Sequence, residues 1–392
     1  MVNFKISCEK QKALQALKTP CYVIDLDILE ENLKILNYVE KQSGCKILLA
    51  QKAFSAYKTY PLIGKYLSGV TSSGLFESRL GFEEMKKVSI DKEVHTFAPA
   101  FKKTEFEQIA KYSNHIVFNS INQWQMFKEI AKSNGVSCGV RINPQYSEIE
   151  TEIYNPCISG SRFGIKAEDF DFEKLAGIEG IHFHTMCEQG ADTLERTIKV
   201  VEEKFGQYFY ALKWINFGGG HHITKNDYDV EKLIKCIKHI KEKYNLKVYL
   251  EPGEAIALNA GWLVTSVLDF VKNDINIAIV DASAACHMPD VLEMPYRPYI
   301  INSGEFDKKE FKYRLGGPTC LAGDVIGDYS FDAPLNQDDK LIFCDMAIYS
   351  MVKNNTFNGI ALPQIATIKS EKNSVHTQII NNFSYADFKC RL

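Results

Sequence analysis

The sequence predicts an α/β protein, a (β/α)8 TIM-like barrel followed by a mostly β C-terminal domain. Three observations carry this expectation. A strand–turn–helix rhythm recurs eight times between residues 46 and 251, and it stops after Pro252. The length, 392 residues, exceeds what one ordinary core accommodates.

The eight β-rich runs are Lys46–Gln51, Gly69–Ser73, Glu93–Ala98, His115–Asn119, Ser137–Ile142, Gly180–Thr185, Lys213–Phe217 and Leu246–Glu251. Segments of helical period lie between them, among them Glu105–Tyr112, Gln123–Ser133, Leu194–Phe209 and Val230–Tyr244. Strands alternating with helices of that length form parallel β-α units, and eight such units close a barrel. A doubly wound sheet is the competing architecture. Beyond Pro252 the runs Leu263–Val271, Ile275–Asp281, Lys312–Leu315 and Lys340–Cys344 are short and separated by turns. The expected boundaries are a barrel over 23–255 and a second domain made of 1–22 plus 256–392. The stretch Thr19–Asp25 is expected to link the two.

Composition narrows the function classes. A formal net charge of −3 offers no basic face for nucleic acid. Lysines in Lys232–Lys247 alternate with apolar residues at helical spacing, as on a solvated helix face. No uncharged run is long enough to cross a bilayer, so no membrane partner is expected. The 11 cysteines are scattered and include no C-x-x-C pair. With no apolar leader at the start, a reducing cytoplasmic location is the expectation.

In a barrel of this type, chemistry sits at the carboxyl ends of the strands. The first run leads into Lys52, which a barrel mouth would strip of water and make a competent amine nucleophile. A solvent-facing lysine at a strand boundary is the plainer reading. The sixth run carries His182 and His184, which alternation points to one face. Such a pair can bind a metal, stack on a flat ring or pack as satisfied core residues. The seventh ends in Gly218-Gly219-Gly220, either a phosphate cradle of open amides or a tight turn. The eighth ends in Glu251-Pro252-Gly253-Glu254, whose first carboxylate could hydrogen-bond a ring nitrogen. Far down the chain stand Gly317-Pro318-Thr319-Cys320, Tyr349 and Thr356-Phe357-Asn358-Gly359.

In this joint order the motifs resemble the fold-type III pyridoxal-phosphate enzymes, the group of ornithine and diaminopimelate decarboxylases and alanine racemase. The later elements resemble its decarboxylase branch, and the resemblance spans nearly the whole chain. Four stretches, His182–Gln189, Glu251–Ala255, Asp281–Asp290 and Leu292–Pro298, are similar to members acting on a carboxylated polyamine. The resemblance implies pyridoxal 5'-phosphate as cofactor and a homodimer with shared active sites. Lys52 would carry the cofactor and His184 would stack on its ring. The Gly218, Gly219 and Gly220 amides and the Tyr349 hydroxyl would hold its phosphate, with Gly253 alongside. Glu251 would pair with the pyridine nitrogen, and Arg141 would order the site. Cys320 would reprotonate the substrate carbon from the neighbouring subunit. No metal is expected.

Departures from the family pattern bear on the substrate. Ornithine decarboxylases carry arginine where this chain has Glu254, and an acid where it has Leu321. A long polyamine needs carboxylates placed elsewhere, because an ammonium is costly to bury without a charged partner. The candidates are Glu254 and Asp290, followed by Asp324 and Glu293; Asp290 and Glu293 read equally well as solvated loop acids. Two readings of other classes compete, a metal-dependent barrel hydrolase built on His182 and His184 and a non-enzymatic cofactor-carrying barrel. Within the family, a diaminopimelate or other basic amino-acid decarboxylase is the alternative.

Overall fold

Five consecutive buried residues, Cys21–Asp25, form strand β1. The computed structural model describes residues 6–294, 296–372 and 374–392; Pro295, within the Leu292–Pro298 motif, lies outside them. The chain divides into two units, Glu30–Ile256 and a second one made of residues up to Leu29 with Ala257–Leu392.

In the first unit the strands are β2 (Lys46–Ala50), β3 (Gly69–Ser72), β4 (Glu93–Phe97), β5 (His115–Phe118) and β6 (Ser137–Asn143). They continue through the two-residue β7 (Ile165–Lys166), β8 (Gly180–His182), β9 (Trp214–Asn216) and β10 (Lys247–Leu250). Neighbours run β5-β4-β3-β2-β10-β9-β8-β6, and β5 pairs β6, which closes the sheet. All of these pairings are parallel. All eight expected runs are barrel strands, and β7 is a short appendage to β6.

The helix Val230–Tyr244 shows how such units are specified. The Asp229 side chain accepts from the Lys232 amide at its start, and Asn245 ends it in the left-handed conformation at φ +55°. Leu233, Ile234, Cys236, Ile237, Ile240 and Tyr244 form the buried face, while the intervening lysines stay solvated.

Inside the barrel, Leu48, Val117, Trp214 and Tyr249 pack together with Phe97. Trp214 fits because β6 and β8 carry glycine where its indole crosses them. A Cβ at Gly139 or Gly180 would overlap the indole ring. Its Nε1–H donates to Ser137 Oγ at 2.9 Å. Trp214→Ala is expected to cost about 3–5 kcal/mol through the cavity it leaves. Urea unfolding should show a lowered midpoint at unchanged slope; a midpoint like the wild type would mean that this layer does not support the barrel.

The second unit holds β1 with β11 (Gly261–Asn273), β12 (Ile275–Val280), β13 (Phe311–Gly316), β14 (Val325–Phe331), β15 (Lys340–Cys344), β16 (Gln364–Glu371) and β17 (Ser374–Asn381). Among the described residues they form one eight-stranded sheet in the order β14-β13-β12-β11-β1-β16-β17, with β15 on β11. Helices here are short, such as Ala284–His287 and Asp290–Glu293.

A barrel starting at residue 23 requires correction. β1 pairs antiparallel with β11 and parallel with β16 across Cys21–Ile24, so Val23 and Ile24 belong to the second unit's sheet. Buried backbone needs partners on both sides, and this sheet supplies them. The unlisted strands β14, β16 and β17 lack a clear apolar alternation. β17 is exposed at most positions, and its pairing with β16 makes it a strand.

Candidate active site

The carboxyl ends of β2, β6, β8, β9 and β10 bring the expected barrel residues to one mouth. Lys52 follows β2, where Ala53 N bonds back to Ala50 O and turns the chain. Its side chain keeps solvent contact, yet protein surrounds it on the barrel side. Burial, and then the Arg141 guanidinium, pull its ammonium below the ordinary lysine range, partly offset by Glu251, Glu77 and Cys187.

Glu251, following β10, is buried and doubly held. Asn216 Nδ2 donates to one carboxylate oxygen at 2.8 Å, and His182 Nε2 lies 3.2 Å from the other. Burial pushes the Glu251 carboxyl up, but these partners reverse the shift and keep it low. Burial also lowers His182. The pair is therefore a carboxylate accepting from a neutral imidazole N–H.

His184 follows β8. Its Nδ1 accepts from the Gly219 amide at 2.8 Å, which puts the ring proton on Nε2. Burial, with Lys52 and Arg141 nearby, holds His184 neutral. Arg141 lies between the Phe97 and Phe163 rings, 4.8 and 4.3 Å from their centroids, and donates to His184 O at 3.0 Å. It thus orders the histidine's loop.

The three glycines divide their work. Gly218 N donates to Asn216 Oδ1 at 2.8 Å, and Gly219 N is taken by His184. Only the Gly220 amide has no partner among the described residues. A cradle made of three open amides is therefore corrected to a turn that leaves one. Gly218 (φ +69°) and Gly220 (φ +82°) need glycine for their backbone. A Cβ at Gly219 would strike Glu251 O, and one at Gly253 would come within 2.5 Å of Ala53 Cβ and 3.3 Å of Ala50 Cβ.

Glu254 lies 3.3 Å from His222 Nε2, in a group with Glu188. Asn216, Glu188, His222 and the Phe97–Phe163 pair are absent from the sequence expectation. Asn216 was legible, since alternation aims it inward with Trp214 immediately before the glycines. The metal-hydrolase alternative has no ligand set at His182 and His184: His182 Nε2 is engaged with Glu251 and His184 Nδ1 with Gly219, and neither histidine belongs to a metal-competent group among the described residues. The two histidine–carboxylate groups close enough to hold an ion among the described residues are Glu93-His95-His115 and Glu188-His222-Glu254.

The remaining candidates lie in the second unit. Cys320 is exposed, and its amide donates to Asn358 Oδ1 at 2.7 Å. Tyr349 has φ +49°, unusual for a bulky side chain. Asp290 and Glu293 both pair with Lys353. Asp324 is buried, with one oxygen accepting from Ser283 Oγ at 3.0 Å and Ala285 N at 3.2 Å. Its other oxygen takes Thr319 Oγ1 at 2.6 Å. Asp324 therefore fixes loops, a correction of its expected place among the amine readers.

A barrel-mouth lysine, a fixed neutral imidazole, a buried carboxylate and an open glycine amide at the strand ends of a (β/α)8 barrel fit a pyridoxal-phosphate enzyme. The chain belongs to the pyridoxal-dependent decarboxylases, whose family model, described as "Pyridoxal-dependent decarboxylase, C-terminal sheet domain", matches residues 21–347. It is 45% identical to a carboxynorspermidine/carboxyspermidine decarboxylase of Campylobacter jejuni, over 96% of this chain and 99% of that protein. It is 38% identical to a carboxyaminopropylagmatine decarboxylase of Synechocystis, over the full length of both. The crystal structure of C. jejuni carboxynorspermidine decarboxylase complexed with norspermidine superposes at TM-score 0.88 and 44% identity, covering 96% of this chain and 100% of that one.

Proposed function

We propose that the chain decarboxylates carboxynorspermidine or carboxyspermidine to norspermidine or spermidine. The observation that carries this reading is the 45% identity to the C. jejuni enzyme over nearly the whole of both chains. It is supported by Glu254, a carboxylate at the site's mouth that pairs with a titratable histidine, where a polyamine's ammonium needs one.

Bound pyridoxal phosphate supplies the electron sink for the pair left when the carboxylate carbon departs. Lys52 would hold the cofactor through its side-chain amine, and its lowered ammonium pKa favours the free amine that this needs. Glu251 would hold the cofactor's ring nitrogen protonated, His184 would hold its ring, and Arg141 fixes that histidine through its backbone oxygen. The Gly220 amide, beside Gly218, Gly219 and Gly253, and the Tyr349 hydroxyl would hold the phosphate. Cys320, from the partner of a homodimer, returns a proton to the carbon. Glu254 and Asp290 read the distal amines, with Glu293 beside Asp290 on Lys353; a substrate ammonium takes the place of that lysine. The barrel over 30–256 would carry the cofactor. With all 11 cysteines free, the natural compartment is a reducing cytoplasm.

A second substrate is favoured by one observation, the 38% full-length identity to carboxyaminopropylagmatine decarboxylase. The experiment is carbon dioxide release from carboxyspermidine, carboxyaminopropylagmatine, diaminopimelate and ornithine. A kcat/KM at least about 100-fold higher for carboxyspermidine than for the last two is expected, since an unpaired buried charge penalises each of them. Preference for diaminopimelate would overturn the reading, and preference for carboxyaminopropylagmatine would move it to the second substrate.

A further inference from the structure

Glu188 and His222 lie in the loops following β8 and β9, and Glu254 opens the short helix Glu254–Ala257 that follows β10. One ligand-competent atom of each lies within 4.8 Å of the others. His222 is 9% exposed, yet neither ring nitrogen makes a hydrogen bond, and its Nε2 only approaches Glu254 Oε1 at 3.3 Å. Glu188 holds φ +52°, an uncommon left-handed backbone for a glutamate. Cys187 feels both carboxylates and the Lys52 ammonium, which places the group beside the cofactor lysine.

The chemistry here is an anionic pocket with one internal counter-ion. Burial, and then Glu254, push the Glu188 carboxyl up. Burial pulls His222 down, but its two carboxylates raise it overall against Lys225 on the same loop. His221, its neighbour, turns away toward Phe217 O at 3.4 Å. An imidazolium and an alkylammonium carry the same charge and both donate N–H hydrogen bonds, so exchanging one for the other keeps the pocket's charge balanced.

Resting on the polyamine reading above, we propose that Glu188 and His222 complete, with Glu254, the pocket that selects a distal ammonium of the substrate. His222 is its placeholder. When the ammonium arrives between the carboxylates, the imidazolium passes its Nε2 proton to water and the ring withdraws, so binding releases one proton.

The test is calorimetric titration of spermidine into the holoenzyme in two buffers of different ionisation enthalpy, between pH 6 and 8. The wild type is expected to release up to one proton per spermidine and to bind more weakly as pH falls, because imidazolium competes. His222→Gln should abolish the proton release and flatten that pH dependence. Glu188→Gln should weaken spermidine at least tenfold and raise KM for carboxyspermidine by more than it lowers kcat. Spermidine binding unchanged in Glu188→Gln, or proton release persisting in His222→Gln, overturns the pocket. So does tight binding of zinc chloride alone that spermidine fails to displace. A wild type inert toward carboxyspermidine would remove the substrate reading and this pocket together, whereas an active wild type with indifferent variants would remove the pocket alone.

Discussion

Lys52→Ala is expected to abolish decarboxylation, with kcat/KM falling at least about 10³-fold, as when a covalent nucleophile is removed. The same variant should lose the visible absorbance that borohydride abolishes in the wild type. Lys52 stands where β2 turns into the barrel mouth, and burial together with Arg141 pulls its ammonium pKa down. More of it is therefore the free amine at neutral pH than of a surface lysine. Lys52→Arg keeps a cation of similar reach but supplies no such amine, so it should be equally inactive. Absorbance that survives in Lys52→Ala and still disappears with borohydride would move the cofactor to another lysine.

Glu251→Gln is expected to lower kcat by about 10²–10³-fold while moving KM far less, because a fixed charge aimed at the reacting system is lost. Its geometry leaves little room for rescue. Asn216 and His182 both donate to it, and a glutamine in its place would present an N–H to one of these donors. Asn216→Ala keeps the carboxylate but frees its orientation, and should cost less, on the order of tenfold. Turnover within twofold of wild type in Glu251→Gln would remove the carboxylate from the chemistry.

The barrel was legible because its information is local. Alternation, short strand lengths and regularly spaced helical patterns occur within each β-α unit, and Val230–Tyr244 was readable to the residue. Lys52, His184, Arg141 and Glu251 could be placed because a parallel barrel collects its strand ends at one mouth. The second unit was harder to read. β1 takes its partners from Gly261–Val264 and Gln364–Ile368, and an exposed strand such as β17 has no apolar pattern of its own.

The sequence by itself determined the fold class, the cofactor family and the identity of the groups at the strand ends. Only the tertiary structure decided what each group does with its hydrogen bonds. It gave two of the three glycine amides to Asn216 and His184, turned Asp324 inward to Ser283 and Thr319, and set His222 between two carboxylates. The physical reason is that a buried polar group must find its partner wherever the fold brings one. Those partners are 32 or more residues away in the chain for His184 and Glu254, and sequence spacing does not encode them.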